Sequence, residues 1–267
     1  MTSKKFIILI FLLLLIDTQA VYSQRTNSST SAGNQRHSEK SLKDHKYFFY
    51  FIDPSVTNNG NNEERELLIE ATRRDIISRI LYMKFEFNPA MKEIINTQKL
   101  LLKLYSKVAI RDIEDATALL NEVSTEIFNN KDSQSKPYIT LGYRSVDSAK
   151  KVMVMADNLP EKNYSIRIYE YVKSIKSAKY AKRYAIIALI DNRVPLEKRI
   201  KIEYNSYDVV KDLINQYIPE NAEKYNAVHF DNFYKIDPAK SVYESVRSNP
   251  ELEKIPEYKD YLKKINE

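Results

Sequence analysis

Between Tyr164 and Asp191 the chain runs without a proline or a glycine, while Ile175, Ala178, Ala185, Ile186 and Leu189 recur at helical spacing. Apolar residues three and four apart line one face of an α-helix. The segment therefore predicts one amphipathic helix of about 28 residues, roughly 42 Å long at 1.5 Å per residue. Other stretches share the rhythm. Met91, Ile94, Ile95, Gln98, Leu101, Leu102, Tyr105 and Val108 follow helix spacing as one stripe. Ile113, Ala116, Leu120, Val123 and Ile127 form another, with Asp112 placed as its N-cap. Val146, Ala149, Met153 and Ala156 mark a shorter helix that Asn158 and Pro160 stop. Pro195 suits the first turn of the next helix, whose stripe is Leu196, Ile200, Tyr207, Val210, Ile214 and Tyr217. Nothing between 63 and 218 alternates as a strand would. The expected fold is all-α: an antiparallel helical bundle with one long helix (about 164–191) and an irregular C-terminal segment of short helices.

The same sequence excludes much chemistry. It holds three glycines and no cysteine or tryptophan in 267 residues. Gly33 and Gly60 lie in polar surroundings, which leaves Gly142 alone in the body. Phosphate-cradling loops, dinucleotide turns and nucleophile elbows need glycine where backbone bends sharply or approaches a ligand. Cysteine nucleophiles, thiolate metal ligands and disulfides are absent by composition. His37, His45 and His229 lack any accompanying Glu-x-x-His pattern, so a metal site of the helical-bundle type is not expected. Paired acids such as Glu63–Glu64 and Asp112–Glu114–Asp115 fit helix N-termini, where the dipole favours them. No catalytic residue, cofactor or metal is assigned.

Lys4 and Lys5 followed by the apolar run Phe6–Ile16 and small residues have the layout of a signal peptide over residues 1–23, cleaved after Ala20 or Ser23. The run is shorter than the roughly 20 residues a spanning helix needs, and no later segment is apolar enough, so no stable membrane span is expected after cleavage. The periplasm is the expected location, with secretion or the cell surface as the alternative. Loss of residues 1–20 lowers the formal charge from +6 to +5. Residues 24–43 are polar and expected to be a disordered leader. Residues 44–62 read as an aromatic arm, Tyr47-Phe48-Phe49-Tyr50-Phe51-Ile52, closed by Asp53-Pro54 and followed by an Asn-rich turn. The helical body is placed at 63–218. Pro219, Pro238, Pro250 and Pro256 break 219–267 into short helices packed on it.

Two features are candidate protein-interaction sites. Arg167, Lys173, Lys176, Lys179, Lys182 and Arg183 recur along the long helix with Tyr169 and Tyr180 interleaved. This strip reads either as a solvated face opposite the core stripe or as a surface for an acidic partner. Export argues against a nucleic-acid partner. Tyr47, Phe48 and Phe49 of the aromatic arm are the second candidate, because five consecutive aromatics cannot all face inward from one short segment.

Residues 141–191 carry a further pattern: Leu141-Gly142-Tyr143-Arg144, Met155-Ala156-Asp157-Asn158, Tyr169-Glu170-Tyr171 and Lys182-Arg183-Tyr184-Ala185-Ile186. It resembles the flagellar-coiling protein family, exported helical proteins that sheathe periplasmic flagellar filaments. The resemblance implies a non-catalytic assembly protein that contacts sheath or core subunits and affects filament shape and motility. The basic strip would be a contact face. Two other readings stay open. One is a helical repeat-like or adhesin-like binding protein; Asp157-Asn158 and Asp191-Asn192 recur at the tetratricopeptide period, without the rest of that consensus. The other is an exported helical hydrolase built on a buried carboxyl group.

Overall fold

A computed structural model describes residues 31–129, 134–199, 204, 206–231 and 239–266. Among them no strand occurs, and ten α-helices pack together. They are α1 (Ser31–Asn59), α2 (Asn62–Met83), α3 (Phe87–Asn129), α4 (Lys136–Asn158), α5 (Tyr164–Arg193), α6 (Leu196–Arg199), α7 (Tyr207–Tyr217), α8 (Ala222–Asn226), α9 (Val242–Ser248) and α10 (Pro256–Asn266). The all-α class is as expected. The signal segment and residues 24–30 lie outside the described residues.

The spine is α3, 43 residues and about 64 Å long at helical rise. Its first half packs against α1 and α2, its second against α4, and α5 runs along it. Two cores result. Around Leu101, Leu104, Tyr105 and Val108 the fillers are aromatic: Phe48, Phe49 and Phe51 from α1, Tyr171 from α5 and Tyr243 from α9. Around Ala116, Leu120, Val123 and Ile127 they are aliphatic and small, with Ala178, Ala181, Ala185 and Ala188 of α5 letting the backbones close up. Gly142 belongs to this second region. A Cβ on it would come within 2.4 Å of a Leu120 methyl, so α4 sits on α3 at a distance that only glycine permits without a shift.

Local chemistry fixes the turns. Gly60 donates its backbone N–H to Val56 at 2.9 Å, and any side chain there would strike that carbonyl oxygen at 2.3 Å. Asn61 then caps α2: its side chain accepts from the Glu64 N–H at 2.9 Å, and Glu64 accepts from the Asn61 N–H at 3.3 Å. The α2–α3 turn closes in another way. Glu86 N–H reaches the Leu81 carbonyl and Phe85 N–H the Tyr82 carbonyl, the paired bonds of a Schellman motif. Phe85 holds the left-handed position with φ of +63°. Glycine is usual there; an L-residue costs about 1–2 kcal/mol.

The C-terminal segment is sewn to the N-terminal helix. Ser241 caps α9 and donates its hydroxyl to buried Asp53 at 2.7 Å, and the Tyr243 N–H adds a bond of 3.2 Å to the same carboxylate. Tyr243 stacks on Phe49 with centroids 4.9 Å apart. Further on, Tyr261 of α10 donates to buried Glu93 at 2.9 Å, and Arg74 meets Glu93 at 3.0 Å.

Three expectations are corrected. From Ser31 onward the polar leader is helix, not disorder, because Ser38, Leu42 and His45 form a narrow buried stripe that the aromatic residues extend. His45 is matched by Asp75 at 2.7 Å. The aromatic arm is the second half of the same helix. Pro54 does not end it, since burial of Phe51, Ile52 and Val56 on either side outweighs the loss of one N–H bond. Asp112 is not an N-cap. It lies buried in the middle of α3, on the stripe that joins the two apolar runs.

Candidate interaction surface

Helical geometry divides each candidate feature between inside and outside. In α1, Phe48 and Phe49 are fully buried, whereas Tyr47 and Tyr50 face outward. Phe48 is fixed from behind by Tyr105, whose hydroxyl donates to the Phe48 carbonyl at 2.7 Å. Burial pushes the Tyr105 phenol well above its ordinary range, so it stays a donor. Phe48 and Phe49 are therefore core residues, not contact residues.

The basic strip is divided too. Lys182 is buried and donates to Asp112 at 2.8 Å and to Asp115 at 3.3 Å. Burial pushes the Asp112 carboxyl up, but Lys182, Lys179 and Arg111 more than offset it and hold the group below the usual carboxylate range. Lys179 is fully buried, 5.3 Å from the Phe51 ring centroid and 3.4 Å from the Asp231 carbonyl. Burial lowers it to about 8. Burial, then Lys179, also pushes His229 down to about 2, which keeps that imidazole neutral. At the strip's ends Arg183 donates to the Tyr204 carbonyl, and Arg167 to the Ala156 carbonyl at 3.0 Å. Four of the six basic residues are thus buried or tie down neighbouring backbone. The sequence held a usable signal for this. Lys179 lies four residues after Ile175 and Lys182 four after Ala178, on the core stripe of α5, while Asp112 lies four after Val108 on the facing stripe of α3.

What remains outside is assembled from both features. Tyr47 of α1 stacks on Tyr169 of α5 with centroids 5.8 Å apart. Lys176 reaches the Tyr47 hydroxyl at 3.4 Å and stands over Phe51 at 5.6 Å. Tyr169 donates to Asp44 at 3.0 Å; burial, then Asp44, raises its phenol to about 12. Lys173, paired with Glu170 at 2.6 Å, and Tyr180 extend the patch along α5. Toward the start of α5 it opens into a recess of about 400 Å³, lined by His37, Lys40, Asp44, Lys162, Tyr164 and Tyr169 among others. The α1–α5 seam is thus a tyrosine-and-lysine face on two rigid helices. Lys40 and Asp44 were missed because one falls in the segment read as leader and the other at the start of the aromatic arm, and they approach α5 only once those two segments form one helix.

Among the described residues no group of three or more His, Asp or Glu is placed to hold a metal ion. Asp53, Asp75, Glu93 and Asp112 are engaged by hydrogen bonds or cations from neighbouring helices. No helix among the described residues is long and apolar enough to cross a membrane.

The sequence model of a family described as surface protein adhesin OmpL37 matches residues 32–260. The chain belongs to that family. The match runs from α1 into the first turn of α10, so the seam and both cores fall within it. No curated protein and no solved structure matches the chain. Membership of an adhesin family overturns the resemblance to flagellar-coiling proteins. Residues 141–191 form the α4–α5 hairpin, and small and apolar residues at three-and-four spacing are what any closely packed helical hairpin requires. The flagellar partners and the motility role implied by that resemblance fall with it.

Proposed function

We propose that the chain is a non-enzymatic binding protein displayed at the cell surface, and that the α1–α5 seam is its contact face. The observation that carries this is the placement of Tyr47, Tyr169 and Tyr180 beside Lys173 and Lys176 on two packed helices in a member of an adhesin family. Tyrosine rings supply large, rigid contact area with a hydrogen-bonding tip, and lysines at the rim steer an oppositely charged partner. The face therefore suits an acidic macromolecular ligand that also offers apolar surface to the rings. Engagement of the buried carboxylates in internal bonds supports binding rather than hydrolysis.

Two measurements test the reading. Antibody access to the protein on intact cells, compared with lysed cells, reports display. Binding of the purified protein to immobilised acidic and basic extracellular macromolecules reports the ligand class, repeated with Lys173→Glu/Lys176→Glu and with Tyr180→Ala. The expected result is surface labelling, preference for acidic ligands and a loss of roughly tenfold or more with the charge reversal. Labelling only after lysis, or binding unchanged in both variants, would overturn the assignment.

A further inference from the structure

The tip of the α2–α3 hairpin presents apolar side chains that the fold does not use. Phe85 and Met83 are 78% and 68% exposed, the two most exposed large apolar side chains among the described residues. Phe85 also occupies the left-handed position of the turn, where glycine would close the same Schellman motif without strain. A bulky aromatic is thus held in an unfavourable backbone conformation and buries little in return. Its ring makes an edge contact with Phe87, which in turn meets Tyr82. Next to the tip a shallow recess of about 350 Å³ has Leu42, Tyr82 and Met83 as its apolar residues.

Charge surrounds this apolar point. Lys84 lies between Met83 and Phe85 in the chain, and Lys43, Lys46 and Arg79 line the recess. Lys43 is paired with Glu39 and Arg79 with Asp75. Lys46 and Lys84 make no ion pair among the described residues, against a single exposed acid in the turn, Glu86. The beginning of α1 lies at the same end, where Asn34 donates to Asn88 at 2.5 Å.

We infer that the hairpin tip is a membrane-contact wedge: Met83 and Phe85 enter the headgroup boundary of an anionic phospholipid surface while Lys46 and Lys84 meet the phosphates. Several observations favour a lipid surface over a protein partner. The apolar side chains project from the end of a hairpin, whereas a stable protein interface needs an extended, complementary patch. Exposed aromatic and thioether side chains next to unpaired lysines match the composition of interfacial lipid-binding segments. The attraction of lysines to anionic leaflets adds to the apolar term and is screened by salt.

The test is co-sedimentation of the purified protein with vesicles of phosphatidylglycerol and phosphatidylcholine in equal parts, and with phosphatidylcholine alone. Phe85→Gly is the decisive variant, because glycine relieves the backbone strain and leaves the fold intact. The expected result is binding to the anionic vesicles that weakens with salt and is weak on neutral ones. Phe85→Gly should lower that binding roughly tenfold while melting at or above the wild-type temperature. Lys84→Glu should lower it as well. Lys173→Glu/Lys176→Glu, which tests the seam, should leave vesicle binding unchanged, so the two surfaces are separable. The inference fails if wild-type protein does not sediment with anionic vesicles, or if Phe85→Gly binds them as well as wild type. It also fails if Phe85→Gly abolishes self-association in place of vesicle binding, which would make the tip an interface between copies.

Discussion

Four lysines on α5 differ in nothing but position, and they do opposite things. Lys173 and Lys176 stand on the outer face beside tyrosines. Lys179 and Lys182, one turn further on, are buried, Lys182 against Asp112 of α3 and Lys179 against Phe51 of α1. The outer pair can be lost at little cost to the fold and offers charge to a ligand. The inner pair stabilises or strains the interior and offers nothing outside. A charged run on a helix is therefore not one feature: the helical period divides it into a surface and a core component.

The largest break in this comparison is expected from Lys182→Met. It leaves Asp112 charged and buried without its partner, and removing one member of such a pair typically costs about 3–5 kcal/mol. Chemical denaturation of the purified variant checks the figure. The pair should also set acid sensitivity. Since the Asp112 carboxyl is held low in the folded state, its contribution is present above about pH 4 and is lost as pH falls through the folded value. Lys182→Met should therefore lose less stability than wild type between neutral and acid pH.

Lys179→Met is expected to act with the opposite sign. The folded lysine titrates near 8 and the unfolded one near 10.4. Between those values the unfolded chain binds the extra proton, so wild-type stability gains from this group as pH rises. At neutral pH the folded state still carries a buried charge. Methionine removes that burden for a gain on the order of 1–3 kcal/mol, and the alkaline gain disappears with it. Melting curves at neutral and alkaline pH measure both effects.

Smaller changes sharpen the contrast. Lys176→Ala loses its contacts with Phe51 and Tyr47, for about 0.5–1 kcal/mol. Lys173→Ala loses one exposed ion pair, for about 0.5 kcal/mol or less. If the seam is the contact face, ligand binding should fall in both while thermal stability scarcely moves, the reverse of the pattern at Lys182.

The helical character of the chain was legible because it rests on local information. Tyr164–Asp191 contains no breaker, and α5 runs from Tyr164 to Arg193. The N-cap reading of Asp112 failed because propensity sees a short acid before an apolar run. The residue that neutralises it lies 70 positions away. The leader failed for the same reason: a segment of low hydrophobicity becomes helix when Ser38, Leu42 and His45 find α2 and α3. For the site, residue types were legible and exposure was not. Tyr47 and Tyr169 are 122 residues apart in the chain and stack only because α1 and α5 lie side by side. Phe85 carries no mark in the sequence to distinguish it from the buried phenylalanines.

The bond between Asp53 and Ser241 spans 188 residues, and it makes one face of the early chain depend on the late chain. Asp53 stands near the start of the described chain, and the hydroxyl that satisfies it comes 188 residues later. Until α9 arrives, one face of α1 has neither its carboxylate partner nor the Tyr243 ring that covers Phe49. That face of the body therefore closes only when the two ends of the chain meet, and loss of the late segment would leave the early one uncovered.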